Sequence, residues 1–161
     1  MGISLGETLP EANLLLMTDE GPQTVALGEK LKGRNVVIFA VPGAFSTTCH
    51  VAHMPSFIRN KDAFAEKGVD EIICVAVNDP FVMKMWAEAS GADKAGITCL
   101  ADADGAYAKA LGQDFDAAVV GFYGRSKRYA MYVEDGVVKV FHPETTRGCE
   151  TSSGEALLAE I

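Results

Sequence analysis

The chain has 161 residues, 48% of them hydrophobic and 22% charged, with a formal net charge of −8 and a pI near 4.8. This composition fits one globular domain over 1–161 with enough apolar residues for a core, and excludes disordered and fibrous classes. The acidic balance argues against nucleic acid or an anionic membrane as partner, because a phosphate footprint needs clustered Lys and Arg.

The densest basic stretch, Arg125-Ser126-Lys127-Arg128, is short and reads as a solvated turn. No apolar run approaches the roughly 18 residues of a membrane span. The start, Met1 to Glu7, has neither the basic residues nor the apolar stretch of a signal peptide, and Gly6 stands where a myristoylation signal needs Ser or Thr. The expected setting is the cytoplasm, a reducing compartment in which a disulfide framework is not expected. Cysteines at 49, 74, 99 and 149 form no close pair and have no His at zinc spacing, so neither a metal nor another cofactor is expected.

In chain order, Asn35–Val41 is a short run rich in β-branched residues, the pattern of a strand covered on both faces. Thr47–Lys67 reads as a helix with Met54, Phe57, Ile58 and Phe64 as apolar positions, kinked or divided at Pro55 and closed by Gly68. Glu71–Val77 is a second buried strand. Asp79 then caps a helix with Pro80 at its first position, running to about Ala89. Ile97–Ala101 is a third strand, and Gly105–Leu111 a short helix ended by Gly112. Ser126–Val133 and Val137–Phe141 flank a hairpin turn at Asp135-Gly136. Ser152-Ser153-Gly154-Glu155 resembles a capping box before a last helix, Glu155–Glu160. Parallel strands with crossover helices, followed by a hairpin and a helix, predict a thioredoxin-like α/β fold with a central mixed sheet flanked by helices.

Of the four cysteines, only Cys49 has the surroundings of a nucleophile. A buried strand leads to a Pro42-Gly43 turn, then to three hydroxyl residues, Cys49 and a helix. Unpaired N–H groups at a helix start stabilise a thiolate. In open α/β sheets, chemistry gathers at the carboxyl ends of strands. Ser46, three residues before Cys49, can lie in the same turn and donate to the thiolate; N-capping by Ser46, Thr47 or Thr48 is its plain structural role. Pro42 would shape the pocket. His50 points about 100° away from Cys49 on a helix, whereas His53 can share its side. Both read as hydrogen-bonded structural residues, since a preformed thiolate needs no general base. Arg128 shares a strand face with Ala130 and Tyr132, and is either an edge charge or a guanidinium that steadies a thiolate. Cys74 and Cys99 read as buried apolar cysteines, and Cys149 as an exposed one.

The stretch Pro42-Gly43-Ala44-Phe45-Ser46-Thr47-Thr48-Cys49 resembles the peroxiredoxin motif Pro-x-x-x-Thr/Ser-x-x-Cys. With His53 to Phe57, Val77 to Lys84 and Arg128 to Val138, it is similar to the type II (atypical) peroxiredoxins of bacteria and plants over nearly the whole chain. The resemblance implies a thiol peroxidase in which Cys49 is the peroxidatic cysteine and Pro42 the motif proline. Ser46 stands for the usual Thr, and Arg128 for the arginine that activates thiolate and peroxide. Cys74 matches the resolving cysteine of plant-like members, 25 residues on. It also implies a homodimer, and recycling by glutaredoxin with glutathione or by thioredoxin. Two departures stand out: Thr47 replaces a common proline, and Thr151 holds the place of a late resolving cysteine, with Cys149 out of register.

The expected reaction is reduction of hydrogen peroxide and small alkyl hydroperoxides, leaving a Cys49 sulfenic acid for Cys74 or an external thiol to resolve. The alternative is a redox sensor or chaperone-like module with incidental turnover. The chain contains no C-x-x-C, which speaks against a thioredoxin-type disulfide oxidoreductase.

Overall fold

A computed structural model describes residues 2–161. The elements follow in the order β1 (Asn13–Thr18), β2 (Gly21–Ala26), α1 (Leu27–Leu31), β3 (Asn35–Val41), a π turn (Cys49–His53), α2 (Met54–Glu66), β4 (Glu71–Ala76) and α3 (Pro80–Ser90). Then come β5 (Thr98–Ala101), α4 (Ala106–Ala110), β6 (Asp114–Ala117), β7 (Phe122–Ser126), β8 (Tyr129–Glu134), β9 (Val137–Pro143) and α5 (Gly154–Leu158). The main sheet has the strand order β2-β1-β5-β4-β3-β8-β9, with β3, β4 and β5 parallel and the outer pairs antiparallel. This is the thioredoxin-like mixed sheet that the alternation of elements predicts.

The continuous apolar run of β3 has a direct cause. Val37, Phe39 and Val41 enter a core layer with α2, α3 and α5, while Val36, Ile38 and Ala40 enter the opposite layer with α1 and α4. A strand covered on both faces has no solvent side on which to place polar residues. The same parity puts Cys74, Cys99, Ala130 and Tyr132 in the layer that holds Cys49.

Several expectations need correction. The sequence reading omits β1–β2 and β6–β7. β2 is an edge strand with Pro22 and mostly exposed positions, held by backbone pairing rather than by an apolar pattern. Ser126 ends β7 instead of opening the hairpin strand, and Arg128 lies in the two-residue connection ahead of β8. Ser153, not Ser152, caps the last helix, accepting from the Ala156 amide, while the Glu155 carboxylate pairs with Arg59. Pro55 divides the 47–67 stretch as expected, standing in the first positions of α2 where its missing N–H costs nothing. The π turn immediately before it takes up the irregularity, with the Met54 amide reaching back to the Cys49 carbonyl. Asp79 caps α3 as expected, accepting from the Val82 amide at 2.9 Å.

The β8–β9 turn has Asp135 at φ 49° and Gly136 at φ 78°, the left-handed pair of a type I′ hairpin. Gly136→Ala is expected to lower stability by about 1–2 kcal/mol, because a Cβ is strained there. The check is urea unfolding, with a lower midpoint at unchanged slope. An unshifted midpoint would mean that the turn does not depend on glycine.

Candidate active site

β3 delivers the chain to the carboxyl edge of the sheet at Val41, and residues 42–46 form a tight turn there. Phe45 sits at φ 65°, a left-handed conformation that a bulky residue rarely adopts. The turn is held from outside. The Ala44 amide donates to Asn78 Oδ1 at 3.0 Å, and Arg125 Nη1 donates to the Pro42 carbonyl at 3.1 Å. The Arg125 guanidinium also lies 4.7 Å above the Phe122 ring. A Cβ on Gly43 would come within 2.8 Å of Arg125 Nη1, so glycine allows this close approach. The basic stretch is therefore no solvated turn, since Arg125 and Arg128 both bind the site.

Cys49 is fully buried at the start of the π turn. Ser46 Oγ lies 2.8 Å from Cys49 Sγ and 2.7 Å from the Gly43 carbonyl. A hydroxyl has one proton and two lone pairs. With a neutral thiol, S–H donates to Ser46 Oγ, whose own proton goes to Gly43. With a thiolate, the Ser46 proton turns to sulfur. Thr48 makes no side-chain cap, and Ser46 spends its hydroxyl on Gly43 and Cys49 instead of capping.

Arg128 donates from Nη2 to Cys49 Sγ at 3.2 Å, and its Nη1 meets His53 Nδ1 at 3.0 Å. His53 Nε2 faces the Ser152 carbonyl at 2.8 Å. Guanidinium can only donate and a carbonyl can only accept, so the imidazole is neutral with its proton on Nε2. Burial, and then the Arg128 charge, lower the His53 pKa to about 3, against the hydrogen bond it donates to the Ser152 carbonyl and the charge of Glu144. His50 turns away as its spacing requires, accepting from Trp86 Nε1 at 2.9 Å and stacking on Phe45.

The other thiols stand apart from this cluster. Cys74 is fully buried in the middle of β4, paired with Phe39 on one side and Cys99 on the other. Burial and the neighbouring Cys99 push its thiol pKa well up. Cys149 is half-buried rather than exposed, with burial again pushing its thiol up. All four cysteines are free. Arg125, Asn78 and the anchoring of His53 by Ser152 are missing from the sequence reading. No local signal marks them, because each contact joins segments more than thirty residues apart.

A buried thiol at a strand-to-helix turn, bracketed by a hydroxyl and a guanidinium on a thioredoxin-like sheet, defines a thiol enzyme without C-x-x-C chemistry. The sequence matches the family described as Redoxin over residues 4–158. Rice chloroplastic peroxiredoxin-2E-2 is 42% identical, with the alignment covering 99% of this chain and 72% of that protein. Arabidopsis peroxiredoxin-2B is 36% identical over 99% of this chain and 98% of its own length. Reduced Prx3 from Vibrio vulnificus in complex with H2O2 superposes with a TM-score of 0.92 at 46% identity, covering 98% of each chain. The chain belongs to the redoxin family and, within it, to the peroxiredoxins. It is a thiol-dependent peroxidase, as the resemblance implied, and its peroxiredoxin-2 relatives agree with the type II assignment.

The state of His53 sets a pH dependence of stability. In the folded protein His53 stays neutral down to about pH 3, whereas its ordinary value is 6.5. Between these values the unfolded chain binds more protons, so stability falls as pH is lowered through that window. The loss is at most roughly 1.4 kcal/mol per pH unit for this group. Urea unfolding from pH 7 to about 5, above most carboxylate titration, should show the decline in the parent and a flatter profile in His53→Gln. Equal slopes in the two proteins would refute a buried neutral imidazole.

Proposed function

We propose that Cys49, as thiolate, attacks the distal oxygen of hydrogen peroxide or a small alkyl hydroperoxide in line with the O–O bond. The observation that supports this is the convergence of Ser46 Oγ and Arg128 Nη2 on one sulfur, at 2.8 and 3.2 Å. Arg128 neutralises the thiolate and offers donors to the peroxide, and the Ser46 hydroxyl is the second donor. Pro42, held through its carbonyl by Arg125, lies in the turn that leads to Cys49. As the O–O bond breaks, negative charge moves onto the departing oxygen, where preformed donors favour it most. The departing oxygen takes up a proton from solvent and leaves as water or an alcohol, and Cys49 becomes a sulfenic acid.

An external thiol is the better resolving partner. Cys74 is buried between two paired strands and would have to leave both ladders to reach Cys49 within disulfide range. Glutathione with glutaredoxin fits this requirement, since a small thiol needs only the Cys49 turn to open. It attacks the sulfenic sulfur, releases water and forms a mixed disulfide, which a second thiol reduces. We assign a homodimer on exposed apolar groups, Phe45 in the turn together with Phe81, Val119, Val120 and Tyr123. The cytosol is the proposed compartment, where four free thiols persist.

Cys49→Ser is expected to abolish peroxide reduction, and Arg128→Ala to slow it by about 10²–10³-fold. A parent-like rate in Cys49→Ser would remove this mechanism. Intact mass after one equivalent of peroxide decides the resolving step. An added oxygen in both parent and Cys74→Ser is expected, whereas a loss of two hydrogens in the parent alone would establish a Cys49–Cys74 bond. Sedimentation of Phe45→Glu should show monomer where the parent is dimer, and an unchanged sedimentation coefficient would reject that interface.

A further inference from the structure

Residues 144–153 join β9 to α5 without regular structure, yet they hydrogen-bond both Arg128 and its neighbour His53. The Glu144 amide donates to the Arg128 carbonyl at 2.9 Å. The Ser152 carbonyl receives the His53 Nε2 proton. Beyond the segment, the Gly154 amide donates to Ser56 Oγ at 2.9 Å, and that hydroxyl donates to the His53 carbonyl at 2.7 Å. A Cβ on Gly154 would lie 2.5 Å from the Ser56 carbonyl oxygen, so this approach requires glycine.

One carboxylate organises the segment. Glu144 Oε1 accepts from the Glu150 amide at 2.7 Å, the Ser152 hydroxyl at 2.9 Å and the Ser152 amide at 3.2 Å. Oε2 accepts from the amides of Thr145 and Thr146 and the hydroxyls of Thr146 and Thr151, at 3.1–3.4 Å. Among the described residues, no Lys or Arg pairs with Glu144. Every contact is made to donors of its own loop. Burial pushes the Glu144 carboxyl up, but the Glu150 and Ser152 hydrogen bonds outweigh it and hold the pKa at about 2.

We propose that Glu144 is a positioning residue for the Cys49 site: it folds 144–153 so that the Ser152 carbonyl fixes His53, and His53 aims Arg128 at the thiol. This rests on the reading of Arg128 given above. The physical step is the choice of tautomer. With the Ser152 carbonyl in place, the His53 proton sits on Nε2 and Nδ1 accepts from Arg128. With the carbonyl displaced, the Nε2 proton loses its acceptor, only the Arg128 contact still favours that tautomer, and the ring is free to turn and release Arg128 from the sulfur. Glu144→Gln is a sharp probe, because an amide nitrogen replaces one oxygen and points its own protons at donors on whichever side it lies.

The test measures kcat/KM for hydrogen peroxide and the 15N resonances of His53 in folded Glu144→Gln, beside the parent and Arg128→Ala. Misplacing a catalytic donor predicts a loss of about 10- to 100-fold. The His53 signals should also lose the pattern of a single Nε2-protonated tautomer. A parent-like rate, or a lowered rate with an unchanged His53 pattern, overturns the inference while a slow Arg128→Ala leaves the Arg128 reading standing. A fast Arg128→Ala overturns the Arg128 reading and the inference with it. Should Glu144→Gln not fold, Thr151→Val and Ser152→Ala each remove one hydroxyl from the carboxylate. They are expected to move both readouts by smaller amounts, and no movement in either overturns the inference.

Discussion

Arg128 has five N–H donors and no acceptor, and the Cys49 site is arranged around that limitation. Its fork spans two acceptors, the Cys49 sulfur at 3.2 Å and the His53 Nδ1 at 3.0 Å. The second contact is possible only if the imidazole is neutral and its proton lies on the far nitrogen. Burial removes the charged form of His53, and the Ser152 carbonyl takes the Nε2 proton, so both conditions are met at once. A cation that would otherwise be flexible is thereby held at the sulfur before any peroxide arrives, and little reorganisation is left for the reacting step.

The sheet supplies the frame for this contact. β3 and β8 are antiparallel neighbours, so the carboxyl end of β3 meets the amino end of β8. Cys49 follows β3 and Arg128 precedes β8, which brings residues 79 apart in sequence to one edge of the sheet. Side-chain parity completes the placement. Arg128 is two residues from Ala130, which faces the layer of Cys49, Phe57 and Cys74. The same parity places Cys74 in that layer, but its two strand partners hold it there, so proximity does not make it an accessible thiol.

The outer supports of the site differ in kind from its centre. Arg125 braces the Pro42 turn and Glu144 organises the loop that holds His53, and neither touches the sulfur. Charged side chains here are not surface ion pairs of small worth. Each is half-buried and directed at backbone groups, where it sets the shape of a loop rather than the charge of a surface.

Local sequence determined the parts of this protein that depend on neighbours in the chain. The buried strands follow from uninterrupted apolar runs, the α3 start from Asp79-Pro80, and the β8–β9 turn from Asp135-Gly136. Cys49 stands out because strand, Pro-Gly turn, hydroxyls and helix lie within fifteen residues of one another. Arg128 was legible as a choice between two roles that spacing left open and the family resemblance narrowed. Edge strands such as β2 left no apolar mark, because backbone pairing is indifferent to side chains. The tertiary structure alone decided the rest: the neutral tautomer of His53, the carbonyl of Ser152 that fixes it, the brace from Arg125 and the confinement of Cys74. These are hydrogen bonds and ladders between distant segments, and a donor or acceptor in one segment carries no imprint of its partner until the chain has folded.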